Sequence, residues 1–377
     1  MIYLDYSATT PLSLEVQDTI NKVTREFIGN ANSLNSLGQK SSELMKSATN
    51  QIAKIFLCDE NEITYTSGAT ESNNIALIGT CLANQKRGKH IIVSKLEHPS
   101  IYAICDYLKT LGFEISYVNN KEDGLIDFDD LKRLIKPSTI LVSIVAVNSE
   151  LGIRQPLKMI RQTIKKVNPN TYFHSDMTQA LGKVNISLKD VDMASMSIHK
   201  IYGPKGIGIF YKANNVKVNP LLYGSGKSNL LHPGTPALPL IVGASKAIRL
   251  ATDDLDRKYS YIEKLNNKLV NFFNEFDGIK VNNTEYSIPN MLNISLLNIR
   301  PETFIHAMDE HEVYLSTTTA CSSGESSSSV MALYNDEKRS SHTIRISLSS
   351  LTTNDEINRF IEIFREEYNK LNNLTNK

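Results

Sequence analysis

Short hydrophobic runs and longer amphipathic stretches alternate along the chain from about residue 60. The runs are rich in β-branched residues and read EITYT (62–66), HIIVS (90–94), FEISYV (113–118), TILVSIVAV (139–147) and TYFHS (171–175). Helical patterns such as ESNNIALIGTCLANQK and PSIYAICDYLKTLG lie between them. Strands that alternate with helices predict βα units, and hence a mainly parallel sheet covered on both faces by helices. The predicted fold class is therefore α/β.

The pattern changes after the Gly/Pro-rich stretch YGSGKSNLLHPGTP at 223–236. A long helical segment follows, then separated strands around NMLNISLL and HTIRISL, and a closing helix from Asn354. Strands with helices segregated to one side predict a smaller α+β domain. We predict a large domain at 15–250 and a small domain made of 1–14 and 251–377, which carries the Ser/Thr-rich segment STTTACSSGESSSS.

Composition excludes several classes of protein. The chain has 377 residues, with 41 basic and 40 acidic side chains and a formal net charge of +1. It has no basic stripe with interleaved aromatic residues, so we expect neither nucleic acid nor an anionic membrane as a partner. The four cysteines lack CxxC spacing, which favours reduced thiols, and we expect no metal site. The pattern contains neither a signal peptide nor a membrane span, and we expect a soluble, cytoplasmic protein.

The segment SIHKIYGPKG carries the first candidate for chemistry. Lys200 follows an apolar, strand-like run and precedes a Gly/Pro turn, with Ser197 and His199 beside it. Desolvation at the end of a strand favours the neutral amine that a Schiff base requires. The alternative interpretation is a solvated surface lysine, which is the commoner situation for this residue type.

The segment TSGATESNN at 66–74 follows the strand EITY and opens a helical pattern. Gly68 permits a tight turn there. The backbone amides of Ala69 and Thr70, with the Thr70 hydroxyl, would face an anion at the positive end of the helix. The segment predicts a phosphate cradle, although a helix start capped by Ser67 or Thr70 explains it equally well.

The segment HSDMTQ places Asp176 at the end of a predicted strand, with Gln179 three residues later. Open α/β sheets bind ligands at the carboxyl ends of their strands. Pyridoxal phosphate (PLP) needs an acidic partner for its ring nitrogen, and Asp176 suits that role. A helix N-cap is the alternative.

Two further side chains follow the same logic. His98, in SKLEHPS, comes between a strand and a helix, where an imidazole could stack on a planar cofactor and move protons. Arg345, in HTIRISL, lies on an apolar strand pattern and needs an anionic partner, which could be a substrate carboxylate. The alternatives are a structural histidine and an internal salt bridge.

Cys321 lies in the Ser/Thr-rich segment, outside any periodic core pattern. An exposed thiol can reach a bound substrate as a nucleophile. The other cysteines occupy helical or apolar contexts and are typical of packing residues. An incidental exposed cysteine is the alternative.

Together these elements resemble one family across nearly the whole chain. They occur in the order YLDYSATTP, SGATESNN, EHPS, VNSELG, SDMTQ, SIHKIYGPKG, PGTP, ACSSG and IRISL. This series is similar to that of the NifS/IscS-like cysteine desulfurases, which are PLP enzymes of fold type I. The resemblance implies a homodimer that takes sulfur from L-cysteine, releases L-alanine, and passes the sulfur to a protein acceptor in iron-sulfur cluster assembly or thiolation.

The resemblance also implies a role for each matching residue. Lys200 would hold PLP covalently and move the substrate Cα proton, His98 would stack on the ring, and Cys321 would carry the persulfide. Asp176 would contact the cofactor at its ring nitrogen and Gln179 at its phenolic oxygen. The phosphate would be held by Ala69, Thr70, Ser197 and His199, and also by Thr235, which would come from the opposite subunit. The substrate would be bound by Arg345, Asn148 and Ser149.

The chain departs from the family pattern at several positions. Ser149 replaces the second asparagine of a VNNE segment, and a shorter side chain loses direct reach. Asn229 and His232 stand where arginines are expected, Asn35 lies in a segment without the usual proline or histidine, and Ser349 with Ser350 replaces a Gly-Arg pair.

These departures leave other interpretations open. One is a selenocysteine lyase, a cysteine sulfinate desulfinase or a small-substrate aminotransferase on the same fold. Another is a PLP-binding scaffold of low activity. A nucleotide-binding protein fits poorly, since the GATES segment lacks both GxGxxG and GxxxxGK[ST] spacing.

Overall fold

The computed structural model describes residues 1–225, 229–317 and 326–375. The strands are β1 (Ile2–Tyr3), β2 (Ile63–Thr66), β3 (His90–Ser94), β4 (Glu114–Val118), β5 (Thr139–Ser143), β6 (Tyr172–Asp176), β7 (Met193–Ser197), β8 (Gly208–Lys212), β9 (Ile279–Val281), β10 (Met291–Leu296), β11 (Val313–Tyr314) and β12 (Thr343–Ser347).

Thirteen α-helices are found within the described ranges. They are α1 (Leu14–Glu26), α2 (Ser36–Phe56), α3 (Ala69–Asn74), α4 (Thr80–Asn84), α5 (Pro99–Thr110), α6 (Phe128–Leu134), α7 (Leu157–Val167), α8 (Leu238–Thr252), α9 (Leu255–Phe273), α10 (Pro301–Asp309), α11 (Ser328–Tyr334), α12 (Glu337–Ser341) and α13 (Asn354–Thr375). A π-helical segment, Ile75–Gly79, joins α3 to α4, and a 3₁₀ turn, Ile198–Lys200, follows β7.

The main sheet has seven strands in the order β2-β8-β7-β6-β5-β3-β4. All are parallel except β8, which is antiparallel to both of its neighbours. The predicted α/β class with a mainly parallel sheet is confirmed. The predicted strand at 139–147 was too long, because β5 ends at Ser143.

Apolar residues cover both faces of this sheet. On β3, Ile92 packs into the core that α2, α7 and α8 help to form, while Ile91 and Val93 pack into the core of the opposite face, beside the π segment and α5. Side chains of a strand alternate between faces, so a strand buried on both sides needs an uninterrupted apolar run. The sequence HIIVS therefore forms an internal strand.

A second core lies around a three-stranded antiparallel sheet, β12-β10-β9. Helices α9, α10 and α13 supply a cluster of aromatic side chains centred on Phe364, and Ile2 and Leu4 from the amino terminus also join this core. The division into domains at 15–250 and at 1–14 with 251–377 remains our proposal. It is supported by the composition of this core, whose fully buried members within the described residues are Ile2, Leu4 and residues from Ile262 onward.

No helix in the described part of the chain is long and apolar enough to cross a membrane. Within the same residues, no group of three or more His, Cys, Asp or Glu side chains could hold a metal ion.

Candidate active site

A cavity of about 560 Å³ lies at one edge of the main sheet. Strands β2, β3, β5, β6 and β7 run in the same direction, so their carboxyl ends meet at that edge and the segments that follow them line the cavity. Ten of the residues proposed from the sequence line it, and nine of them lie in or after strands of the main sheet: Ala69, Thr70, His98, Ser149, Asp176, Gln179, Ser197, His199 and Lys200. Arg345 reaches the same cavity from β12 of the second core.

Asp176 ends β6 and is buried. Its Oδ2 accepts a hydrogen bond of 2.9 Å from the Asn73 side chain, and its Oδ1 accepts one of 2.9 Å from the backbone N–H of Thr178. The alternative of a helix N-cap is wrong, because a turn rather than a helix follows Asp176. Two donors instead fix the carboxylate at the cavity wall, where it can face a cationic ring nitrogen.

The segment predicted to cradle a phosphate lies where β2 turns into α3. Gly68 precedes the helix, which continues through the π segment and α4 to Asn84. A Cβ atom on Gly68 would meet only Ser197 Oγ, at 3.9 Å, so the space beside it is open. The Ser67 N–H donates to Glu71 Oε2 at 2.6 Å, which holds the turn in place. The positive end of this helix therefore faces open space beside Ser197.

His98 is the N-cap of α5. Its Nδ1 accepts a hydrogen bond of 3.2 Å from the Ser100 N–H and also contacts Ser100 Oγ at 2.9 Å. Since an N–H group can only donate, the proton of the neutral imidazole lies on Nε2. Burial lowers the pKa of His98, Asp176 opposes this shift, and the Lys200 charge adds to it. His98 is therefore a neutral ring near neutral pH, suited to stacking on a planar molecule.

His199 and Gln179 are held by the amino-terminal segment. His199 Nδ1 contacts Thr9 Oγ1 at 3.0 Å, and burial followed by the charge of Lys200 lowers the pKa of His199 to about 4. Gln179 donates from Nε2 to the carbonyl oxygen of Ser7 at 3.0 Å. Both side chains are thus oriented before any ligand binds, which favours a precise binding site.

Arg345 is buried and forms the internal salt bridge that was the alternative interpretation for it. Its Nη2 lies 2.9 Å from Asp5 Oδ1, and its Nη1 donates to the carbonyl oxygen of Ser149 at 3.1 Å. The guanidinium Nε has no hydrogen-bond partner within the described ranges. Arg345 is therefore in an internal salt bridge and also lines the cavity, where a carboxylate can approach it.

Asn148, for which substrate binding stays a prediction, is not among the residues that line the cavity. Its Nδ2 donates to the Leu96 carbonyl and to Ser329 Oγ, and its Oδ1 accepts from the backbone N–H groups of Glu150 and Leu151. The amide is fully engaged in shaping the turn that presents Ser149. The structure thus gives Asn148 a positioning role.

Two other predicted residues lie outside this cavity. Thr235 is exposed and lines a separate groove of about 1040 Å³. Its assignment to the site of an opposite subunit stays a prediction. Cys321 lies outside the described residues.

Several departures from the family pattern have structural roles. Asn229 donates to Thr64 Oγ1 at 3.0 Å, and Asn35 caps α2 by accepting from the Gly38 N–H at 2.9 Å. His232 Nδ1 lies 2.7 Å from Glu71 Oε1, directly behind the phosphate cradle. These side chains therefore contact the chain itself rather than the cavity.

Sequence reasoning missed several residues that hold the candidate side chains in place. Asn73 holds Asp176, Asp5 pairs with Arg345, and Lys183 contacts Gln179. Glu97 Oε1 accepts hydrogen bonds of 2.6 Å from Ser94 Oγ and from the Val145 N–H, and burial raises the pKa of Glu97 to about 8. Asn73, Asp5 and Glu97 belong to the motifs SGATESNN, YLDYSATTP and EHPS, so their membership of these motifs was the available signal.

Comparison with known proteins gives a consistent result. The family model for aminotransferase class-V matches residues 2–360. The chain is 37% identical to the cysteine desulfurase IscS of Buchnera aphidicola subsp. Baizongia pistaciae, with 99% of this chain and 94% of that protein covered. It is 33% identical to the cysteine desulfurase IscS of Dictyoglomus turgidum, over 99% and 96% of the two chains.

A solved structure of a NifS-like protein is similar in fold, with a TM-score of 0.93 and 34% sequence identity, and the match covers 98% of this chain and all of that one. Sequence and structure thus agree over nearly the full length. The chain belongs to the aminotransferase class-V family.

Proposed function

We propose that this chain is a PLP-dependent cysteine desulfurase, which releases L-alanine from L-cysteine and collects the sulfur as a persulfide on Cys321. The observation that carries the proposal is the meeting of Lys200, Asp176, His98 and Arg345 around one cavity next to an anion cradle. The full-length similarity to proteins named cysteine desulfurase supports the choice of reaction.

The residues that line the cavity fit PLP. Gly68 leaves open space beside Ser197, where a side chain at position 68 would intrude on a phosphate. The backbone amides of Ala69 and Thr70 offer further donors to that phosphate. Asp176 is a fixed carboxylate for the ring nitrogen, and Lys200 supplies the amine for covalent attachment.

The residues that line the cavity would carry out different parts of the reaction. When bound, PLP supplies an electron sink that stabilises negative charge at the substrate Cα. Arg345 orients the substrate by binding the substrate carboxylate. The Lys200 amine takes the proton from the substrate Cα. His98, neutral and protonated on Nε2, offers a donor on the cavity side.

The sulfur step requires a nucleophilic thiol. Burial raises the pKa of Cys58 to about 11, of Cys105 to about 12, and of Cys81 further still. A thiol with a raised pKa carries little thiolate at neutral pH and is a poor nucleophile. This supports Cys321 as the thiolate that attacks the substrate sulfur and breaks the carbon–sulfur bond.

We further propose a cytoplasmic homodimer that passes the persulfide sulfur to a protein acceptor for iron-sulfur cluster assembly or thiolation. Thr235 is exposed in the groove that also contains His232, and it is therefore available to a second copy of the chain. The resemblance to the desulfurase family assigns Thr235 to the phosphate site of that second copy.

A second candidate is a selenocysteine lyase or cysteine sulfinate desulfinase type of PLP enzyme. One observation favours it, which is that Ser149 lines the cavity beside Arg345 with a shorter side chain than the asparagine expected there. More room next to the carboxylate site would admit a larger β-substituent.

The test is alanine release from L-cysteine by the PLP-loaded protein with a reductant present. Wild type is compared with Cys321→Ala, Lys200→Ala and the matched thiol control Cys58→Ala. We expect turnover by wild type and Cys58→Ala, and losses of at least about a hundredfold in Cys321→Ala and Lys200→Ala.

Equal turnover by wild type and Cys321→Ala would contradict sulfur transfer through Cys321 and support the lyase alternative. If wild type binds PLP but releases no alanine, the enzyme proposal fails and a PLP-binding scaffold remains.

A further inference from the structure

Lys183 is a buried lysine that no part of the proposed reaction uses. It lies in the turn after β6, with only 8% of its surface exposed. Its Nζ lies 2.5 Å from Gln179 Oε1. Burial, followed by the charges of Lys200 and Arg345, lowers the pKa of Lys183 well below its usual value. Because burying an amine costs free energy, an apolar side chain of similar length would be favoured here if position 183 only filled space.

Two contacts decide how the Gln179 amide is oriented. The carbonyl oxygen of Ser7 can only accept a hydrogen bond, so the amide nitrogen of Gln179 must face it, at 3.0 Å. The amide oxygen then faces Lys183, and the amine donates to it in either protonation state. The orientation therefore holds whether or not Lys183 is charged, and the second N–H of Gln179 Nε2 remains for a partner in the cavity.

The backbone around Lys183 is fixed against the segment that carries Lys200. Gly182 has a φ of +68°, and a Cβ atom there would lie 2.8 Å from Ala251 Cβ and 3.0 Å from Ile201 Cγ2. The turn thus packs directly against Ile201, the neighbour of Lys200. Lys183 consequently holds Gln179 in a constant position relative to the lysine that would carry the cofactor.

We propose that Lys183 is a positioning residue that locks the Gln179 amide with one N–H available to the oxygen on the ring of the bound cofactor. This inference rests on the proposed function only as far as PLP binding. Lys183 acts through Gln179 and does not contact the reactants. Loss of Lys183 leaves the amide held at one end, by Ser7 alone.

The test is a double-mutant cycle that measures PLP binding and the absorption of the bound cofactor. Lys183→Met keeps the length of the side chain and removes the donor, and it is made in wild type and in Gln179→Ala. Lys189→Met is the matched control, because Lys189 is an exposed lysine on the segment that follows the same turn. The measurements are the PLP dissociation constant of the apo protein and the pH midpoint of the visible absorption band of the bound cofactor.

We expect Lys183→Met to weaken PLP binding about fivefold and to move the absorption midpoint in wild type, the size of effect of one hydrogen bond. In the Gln179→Ala background the same change should have less than about a twofold effect. Lys189→Met should match wild type in both measurements. Thermal unfolding of apo Lys183→Met should occur at the wild-type temperature or above it, since a desolvated amine has been removed.

Equal losses in both backgrounds would show that Lys183 acts on the fold and not through Gln179, and would overturn the proposal. An unchanged dissociation constant and absorption midpoint in Lys183→Met would do the same. If wild type binds PLP and only the Lys183 expectations fail, the proposed function stands; if wild type itself fails to bind PLP, the proposed function is what fails.

Discussion

His174 lies at the centre of the main sheet, on β6. It is fully buried between two hydroxyl groups, with Nδ1 2.9 Å from Ser143 Oγ and Nε2 3.0 Å from Ser195 Oγ. Burial lowers the pKa of His174 to about 4, although Asp176 opposes the shift. An unfolded chain binds this proton below a pH of about 6.5. Between those values the unfolded state holds more protons, so stability rises with pH there and is flat above.

We predict that His174→Gln reduces this pH dependence, since glutamine never takes up the proton. The slope of the unfolding free energy against pH, from about 4.5 to 6.5, should fall by up to about 1.4 kcal/mol per pH unit. Denaturant unfolding at several pH values measures it, with exposed His306→Gln as the control. An unchanged slope in His174→Gln would contradict the assignment.

At the scale of residues, the candidate side chains that could be predicted from the sequence are those at the end of a strand or shortly after it. Lys200, Asp176 and His98 were predicted because a short motif contains both the residue and the end of its strand. The Asp5–Arg345 pair could not be predicted, because it joins the two ends of the chain. The hydrogen bonds between the Asn148 amide and the backbone could not be predicted either, since sequence alone does not reveal where a side chain points.

At the scale of elements, β8 and the start of α3 approach each other closely. A Cβ atom on Gly208, the first residue of β8, would lie 2.6 Å from Gly68 Cα and 2.7 Å from the Met196 carbonyl oxygen. Backbone atoms cannot yield as a flexible side chain can. The position of the turn before α3, where we propose that the phosphate binds, therefore depends on the absence of a side chain at position 208.

We predict that Gly208→Ala displaces the cradle, weakens PLP binding at least tenfold, and costs about 1–3 kcal/mol of stability. Gly112→Ala is the control, because Gly112 does not line the cavity, a Cβ atom there meets only the flexible Lys89 Nζ at 3.6 Å, and only its φ of +79° is unfavourable. PLP titration and thermal unfolding of both variants provide the measurement. Equal losses of PLP affinity in the two variants would count against the close approach as the cause.

The predicted elements agree best with those of the structure where a strand is a continuous apolar run. HIIVS is β3 residue for residue, and helix α13 starts at Asn354 as expected. Strand β8 was not predicted, and neither was its antiparallel direction, which depends on partners distant in the sequence. The π-helical segment was also missed, since its side chains follow a pattern that an ordinary helix would explain.

At the scale of the whole molecule, two cores meet at the cavity. The second core is centred on Phe364, whose ring contacts those of Phe272, Phe273, Phe276, Phe304, Phe360 and Tyr368. The proposed PLP-binding residues lie around the main sheet, and Arg345 alone comes from β12. Cofactor binding and substrate orientation are thus assigned to different cores.

We predict that Phe364→Ala removes about 3–5 kcal/mol from the second core and leaves the PLP site largely formed. In a urea titration, far-UV circular dichroism should show an early transition while the visible signal of the bound cofactor persists. Tyr107→Ala, a partly exposed aromatic on α5, should behave as wild type. If both signals of Phe364→Ala move together, the two cores unfold as one unit.

The antiparallel strand β8 also constrains the order in which a growing chain can assemble on the ribosome. Strand β2 has β8 as its one neighbour in the described sheet, so it stays unpaired until residue 212 has been synthesised. Pairing then joins the cradle after β2 to the Lys200 turn within a single folding event. Arg345 leaves the ribosome much later. The residues of one chain that we propose to bind the cofactor can therefore assemble before Arg345, which we propose to orient the substrate, has been synthesised.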